Sequence, residues 1–219
     1  LPIFEALVAV ATRRGLAVHL VGGPVRDFLL GRPVRDADLI VEDRIPGAAL
    51  ELAREALPGG KIVAHGRFGT VRIDLPEARV DLATVRSEHY PHPGSLPIVG
   101  AGALQDDLLR RDFSVNALAV PLTPQACEGR AGVIDLAGGQ EDIAARTLRI
   151  LHEKSFHDDP TRALRAARLG ARLGFALSRG SRVALRNALR DGVFGRVSGD
   201  RLRREFEKLF DDAAAGTDP

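Results

Sequence analysis

Apolar positions recur at three-to-four spacing over residues 3–14, the period of a helix with one buried face. The next apolar run, through Leu20-Val21, breaks at Gly22-Gly23, which predicts a strand entering a turn. Pro24 suits the first position of a short helix over 25–30, and exposed amides at such a start can hold a phosphate. In Asp36-Ala37-Asp38-Leu39-Ile40-Val41 a strand is expected, with Asp36 and Asp38 on one face and Ala37 and Leu39 on the other. A helix follows over 47–57. Strands are predicted around Val63, over 68–73 and over 79–84, where β-branched and apolar residues recur in short runs between glycines and prolines. Residues 88–102, rich in Pro, Gly and His, read as a long loop of the kind that often carries function. From about residue 146 the pattern turns helical over 158–173, 178–189 and 199–210, broken at Gly174, Gly192 and Gly195. An α/β part with one sheet, residues 1–145, followed by an all-helical part, residues 146–219, is the organisation this implies.

Composition narrows the class. The 219 residues can bury a substantial core; 45% apolar and 27% charged residues are ordinary for a globular chain. No apolar run approaches a membrane span and no signal-peptide pattern opens the chain, so a cytoplasmic location without a membrane partner is expected. Cys127 is the one cysteine, which excludes an intrachain disulfide and a cysteine-based zinc site. The net charge is only +2, but the basic residues are almost all arginine, suited to bidentate phosphate contacts. The chain lacks methionine and begins at Leu1, so its start is expected to be missing, and the residues from Ala213 to Pro219 do not read as the finish of a domain.

Paired carboxylates two apart on a strand suit a hard divalent cation. Taken alone, the diglycine turn also fits a strand-to-helix turn chosen for backbone freedom, and the two aspartates a solvated strand start. Together, Gly22-Gly23-Pro24-Val25-Arg26-Asp27-Phe28-Leu29-Leu30-Gly31-Arg32 and Asp36-Ala37-Asp38 closely resemble the signature of class II tRNA nucleotidyltransferases and bacterial poly(A) polymerases. These belong to the polymerase-beta-like nucleotidyltransferase superfamily. The resemblance implies an α/β head, a mixed sheet with flanking helices, followed by a helical neck and the start of a truncated body.

Nucleotidyl transfer uses a two-metal site with ions roughly 4 Å apart, commonly held by three carboxylates. Asp81, between Val80 and Leu82 on the strand 79–84, fits the third place, and the family carries a carboxylate at the matching position; Asp74 is a rival. Catalytic and Mg2+-binding roles are thereby expected for Asp36, Asp38 and Asp81. Arg110-Arg111-Asp112-Phe113-Ser114-Val115-Asn116-Ala117 resembles a second family motif, with serine where threonine is usual. Arg111 and Asn116 join Gly22, Gly23 and Arg26 as expected nucleotide-binding residues, and Asp112, able to cap a helix start, is expected to be structural.

Asp159, Arg162, Arg165 and Arg168 are spaced at threes, a polar stripe that in an arbitrary protein is an ion-paired helix face. The stripe resembles the class II motif in which an Asp and an Arg act as a protein template for the incoming base. By that match Asp159 and Arg162 read the edges of C and A, and Arg165 and Arg168 hold phosphates. Asp158 stands where glutamate is usual, and Pro160 is tolerated only in a first helical turn, so the helix is expected to start there with Asp158 as a possible cap.

The activity implied is metal-dependent addition of CMP and/or AMP from CTP and ATP to a tRNA 3′ end, releasing pyrophosphate. CCA, CC, A and poly(A) addition all stay open, as does a non-catalytic module that holds RNA or nucleotide. Transfer to a small molecule is disfavoured by the base-reading stripe. None of His19, His65, His89, His92, His152 and His157 is needed as a base, though His89 and His92 lie in a loop that helps reshape the pocket in the family. RNA contacts are expected from Arg182, Arg186, Arg201 and Arg204.

Overall fold

The fold is described from a computed structural model in residues 2–34, 36–43, 47–58, 61–65, 70–75, 79–127 and 132–214. It divides into two compact units. Unit 1 holds residues 1–87, 99–110 and 116–136, and unit 2 holds residues 88–98, 111–115 and 137–219.

Unit 1 begins with α1 (Pro2–Arg14), β1 (Ala17–Val21), α2 (Gly23–Leu29), β2 (Asp36–Glu42) and α3 (Ala48–Ala56). The strands β3 (Ile62–His65), β4 (Thr70–Asp74) and β5 (Arg79–Thr84) follow, then the two-stranded ribbon β6 (Arg86–His89) and β7 (Ile98–Ala101), through which the chain passes between units. The helix α4 (Leu104–Leu109), β8 (Leu118–Pro121), α5 (Pro124–Cys127) and β9 (Ile134–Asp135) complete it. Among the described residues the main sheet has seven strands in the order β3-β4-β5-β2-β1-β8-β9. Its β2–β5 pair is parallel and the neighbouring pairs are antiparallel, so the sheet is mixed, as expected.

Strand alternation decides which face is filled. Ala37, Leu39 and Val41 of β2, Val80 and Leu82 of β5, and Val71 and Ile73 of β4 pack with Leu7, Val10 and Ala11 of α1 and with Ala49, Leu52 and Ala53 of α3. On the opposite face a smaller cluster of Val21, Ile40, Val85, Leu108 and Ala119 is covered by α4. That second face is apolar toward Ile40 and polar toward Asp36.

Unit 2 is mainly helical: α6 (Gly139–Ala144), α7 (Ser155–Asp158), α8 (Thr161–Leu173), α9 (Arg179–Arg190) and α10 (Gly199–Ala214), with a short parallel pair of β10 (Thr147–Leu148) and β11 (Ala176–Leu177). Among the described residues no helix is long and apolar enough to cross a membrane.

Three local expectations change. The loop over 88–102 contains strand residues at both ends, hidden from periodicity because β6 and β7 bury neither face. Within the span expected as helical over 158–173, α8 starts beside Pro160 as expected, whereas Asp159 is extended at φ −131° and Asp158 ends α7 rather than capping α8. The strand β8 and helix α4 have no counterpart among the expected elements. Of the strand expected over 68–73, residues 68 and 69 lie outside the described residues, as do residues 215–219 at the C-terminal end.

His19 of β1 is 5% exposed, and its Nδ1 lies 3.6 Å from Glu42 Oε1, too far for a hydrogen bond. Burial pushes its pKa below the ordinary value and Glu42 opposes that only in part. Above about pH 6.5 both folded and unfolded chains hold this histidine neutral; as pH falls below it, only the unfolded chain protonates readily, so stability declines. Thermal melts between pH 8 and pH 5 are expected to show a smaller acid-side loss in His19→Gln than in the parent.

Candidate active site

Gly22 ends β1 with φ +75° and ψ −133°, a conformation open only to glycine. Its N–H donates to Leu118 O at 3.0 Å and its carbonyl accepts from Arg26 N at 3.1 Å, fixing the turn between β1 and β8. A Cβ on Gly23 would meet only ordinary contact, 3.5 Å from the Arg26 guanidinium. Arg26 is 2% exposed and donates to Asp27 Oδ1 and Asn116 Oδ1. The structure thus joins Arg26 and Asn116, two expected nucleotide residues, in one buried network.

The carboxylates follow from strand register. Asp38 and Asp81 are partners across the parallel β2–β5 pair, and Asp36 lies two residues earlier on the same face. Ala37, Leu39, Val80 and Leu82 point into the core, which holds all three carboxylates on the other side. Asp36 and Asp38 are exposed. Asp81 is the partner of Arg72 on β4 and receives Arg72 Nε on Oδ1 at 2.8 Å and Nη2 on Oδ2 at 2.9 Å. Those bonds, then the charges of Asp81, Asp74 and Asp36, raise the pKa of Arg72 further.

Asp36 and Asp38 have the donor chemistry for a hard cation. Among the described residues, however, no group of three or more His, Cys, Asp or Glu side chains is arranged to hold one ion. Both oxygens of Asp81 accept from Arg72. Arg72 escaped the sequence reading although its strand was expected; its outward place between buried Val71 and Ile73 was the available signal.

The second motif is shared between units. Arg110, in unit 1, donates to buried Asp107, and Asn116 serves Arg26 as above. Arg111, half-buried, belongs to unit 2. Asp112 is 6% exposed; Oδ1 accepts from Phe113 N at 2.9 Å and Oδ2 from Arg165 Nε and Nη2 at 2.9 and 2.6 Å. The proximity of Asp112 raises the pKa of Arg165. Asp112 ties this segment to α8 instead of capping a helix. The serine hydroxyl at 114 donates to Asp142, which also accepts from Arg149.

In unit 2, Asp159 receives Thr161 N, Thr161 Oγ1 and Arg201 Nη2, at 3.0, 2.6 and 2.8 Å, all on Oδ1. Its Oδ2 remains as an acceptor. Arg162 is 5% exposed, donates to Ser155 Oγ at 2.7 Å, and lies 5.9 Å from the centre of the Tyr90 ring. The Tyr90 hydroxyl donates to Glu88, and burial above all pushes its pKa up to about 12. Arg168 pairs with Glu205 and Asp212. The expected stripe is therefore a row with Arg162 buried and Arg165 and Arg168 partly exposed and ion-paired, with Asp159 outside the helix.

Arg201, expected to touch RNA, donates instead to Asp159 and to Gly94 O at 2.7 Å. Gly94 has φ +75°, and a Cβ there would come within 3.0 Å of Arg196 Cβ, so only glycine brings this carbonyl within reach of Arg201. Neither Tyr90 nor this Arg201 contact carries a local sequence signal, because each depends on a segment more than 40 residues away.

Residues 18–149 match the family described as the poly A polymerase head domain. The chain belongs to this family. It is 39% identical over 194 residues to an A-adding tRNA nucleotidyltransferase of Aquifex aeolicus, covering 88% of this chain and 23% of that protein. It is 46% identical over 157 residues to a CC-adding tRNA nucleotidyltransferase of Deinococcus radiodurans, covering 70% of this chain and 40% of that one. The solved structure of a CCA-adding enzyme in an apo form superposes with a TM-score of 0.84 at 37% identity, over 94% of this chain and 48% of that chain. The chain thus spans 23%, 40% and 48% of the length of these three proteins.

Removing the Asp112 carboxylate leaves the partly buried Arg165 and the Phe113 N–H without their acceptor, an expected loss of about 1–3 kcal/mol. Thermal unfolding of Asp112→Ala should accordingly begin several degrees below the parent, with Asp112→Asn between the two.

Proposed function

We propose that the chain is the catalytic part of a template-independent RNA nucleotidyltransferase that adds CMP and/or AMP to the 3′ end of tRNA, with release of pyrophosphate. In this reading residues 1–145 form the head, residues 146–219 the neck and the start of a longer body, and the enzyme works in the cytoplasm. The observation that carries it is the β2–β5 register, with Asp36, Asp38 and Asp81 on one face of a head-domain sheet. The relatives' names supply the tRNA and the two bases.

Asp36 and Asp38 would hold Mg2+, with Asp81 as third carboxylate. When bound, the metal neutralises charge on the triphosphate and assists the attacking 3′ hydroxyl. In unit 1, Gly22, Gly23, Arg26 and Asn116 are assigned to the triphosphate, Arg26 and Asn116 by bracing each other; in unit 2, Arg111 is assigned to nucleotide contact. In unit 2, Asp159 presents Oδ2 to an exocyclic amine while Thr161 and Arg201 hold Oδ1 still. Arg162 donates to ring acceptors. The phosphate roles of Arg165 and Arg168 compete with Asp112, Glu205 and Asp212, so we assign these two arginines mainly to holding α8 in place.

Single-nucleotide extension with magnesium tests this on tRNA ending before CCA, on tRNA ending in CC, and on oligo(A), with each triphosphate separately. Asp36→Ala or Asp38→Ala should abolish extension with the fold intact, and residual turnover near wild type refutes the carboxylate assignment. Asp159→Ala or Arg162→Ala should relax the preference among the four triphosphates by about 1–3 kcal/mol per lost contact, whereas a purely structural pair leaves the ratios unchanged. Extension of oligo(A) alone selects poly(A) addition, and triphosphate binding without extension selects a holding module. Because the Arg72–Asp81 pair is partly exposed and worth at most about 1 kcal/mol, Arg72→Gln should tighten Mn2+ binding measured by calorimetry only severalfold.

A further inference from the structure

Several cations of unit 2 are matched by a carboxylate. Arg165 faces Asp112, Arg168 faces Glu205 and Asp212, Arg201 faces Asp159, Arg203 faces Glu207, and Lys208 faces Glu205. Helix α9 is different. Its twelve residues, RGSRVALRNALR, include four arginines and no acid. Arg179, Arg182, Arg186 and Arg190 recur at spacings of three, four and four, which stacks them along one side of the helix. The opposite side, Ser181, Ala184 and Ala188, is buried. All four arginines are exposed, and among the described residues none of their side chains has a hydrogen-bond or ion-pair partner. Asp191, the acid next in sequence, is engaged by His157 Nε2 at 2.8 Å.

Like charges four apart on a helix repel, so this row opposes the helix that carries it unless an anion lies across it. The row extends for about 16 Å, and a nucleic-acid strand in a duplex carries a phosphate roughly every 3.4 Å of axis. Beside the start of α9 a groove of about 810 Å3 runs between Lys154 and Arg179, walled by Ile150, Val183 and Ala184. Lys154, like the four arginines, is exposed and its side chain has no partner among the described residues. A planar guanidinium row flanked by a partly apolar groove matches a ribose–phosphate chain better than an isolated anion.

We infer that the outer face of α9, with Lys154 at the mouth of its groove, is a docking surface for the phosphodiester backbone of the RNA substrate. This rests on reading the chain as an RNA nucleotidyltransferase. Such contacts position the RNA and carry no sequence information, so they are separate from the base reading assigned to Asp159 and Arg162.

The test is fluorescence anisotropy of labelled tRNA lacking CCA, titrated with this chain and with Arg182→Gln/Arg186→Gln/Arg190→Gln across a salt series. In the triple variant affinity at low salt should fall at least tenfold. The slope of log affinity against log salt should shrink by about 0.7–0.9 for each arginine removed. An unrelated RNA of equal length should lose the same factor, and the corresponding triple lysine variant should keep most of the slope. Melting temperature should equal or slightly exceed the parent's, because a repulsive row is removed, and CTP binding should match the parent's, since these side chains touch neither core nor carboxylates. If the parent binds and extends tRNA and the glutamine variant retains parental affinity and slope, the α9 assignment is overturned while the proposed function stands. If the parent binds CTP but no RNA, both fall.

Discussion

The register of one parallel strand pair governs the candidate chemistry. Because β2 and β5 run side by side with Asp38 opposite Asp81, the alternation that sends Leu39 and Leu82 into the core sends the carboxylates to the other face. A slip of one residue on either strand would bury its aspartates under α1 and α3 and expose its core residues, so hydrophobic burial and carboxylate placement enforce each other. The same face closes at Ile40, where Val21 and Val85 pack with Leu108 of α4. The polar end is therefore confined to the start of β2, and Arg72 on β4 balances part of its negative charge.

In unit 2 the organising constraint is how arginines find partners. Arg162, Arg165 and Arg168 share a helix face that looks solvent-directed on spacing alone, yet each is held by a different group outside α8: Ser155, Asp112, and Glu205 with Asp212. Burying a guanidinium is tolerable only with such donors satisfied, so these residues fasten α8 to the 111–115 segment and to α10. Arg201 does similar service for Asp159 and Gly94, occupying one carboxylate oxygen and leaving the other. The four arginines of α9 lack such partners among the described residues and recur on one exposed face, a surface for something outside the chain.

Much of this was legible in the chain itself. The diglycine turn, the Asp36 and Asp38 alternation, the strand around Asp81 and the change to helices near residue 146 all rest on local rules: periods of 2 and 3.6, glycine at positive φ, proline at a helix start. Where a segment buries one face, its residue order encodes its conformation. What only the tertiary structure decided depends on partners far apart in sequence. The 88–98 and 111–115 segments belong to unit 2 through contacts that no local pattern announces. The Arg72 grip on Asp81 arises from strand pairing, and the Tyr90–Arg162 contact joins residues 72 positions apart. Spacing alone could not tell an arginine engaged inside the protein from one facing solvent, because a helix period says which side chains share a face but not what that face meets.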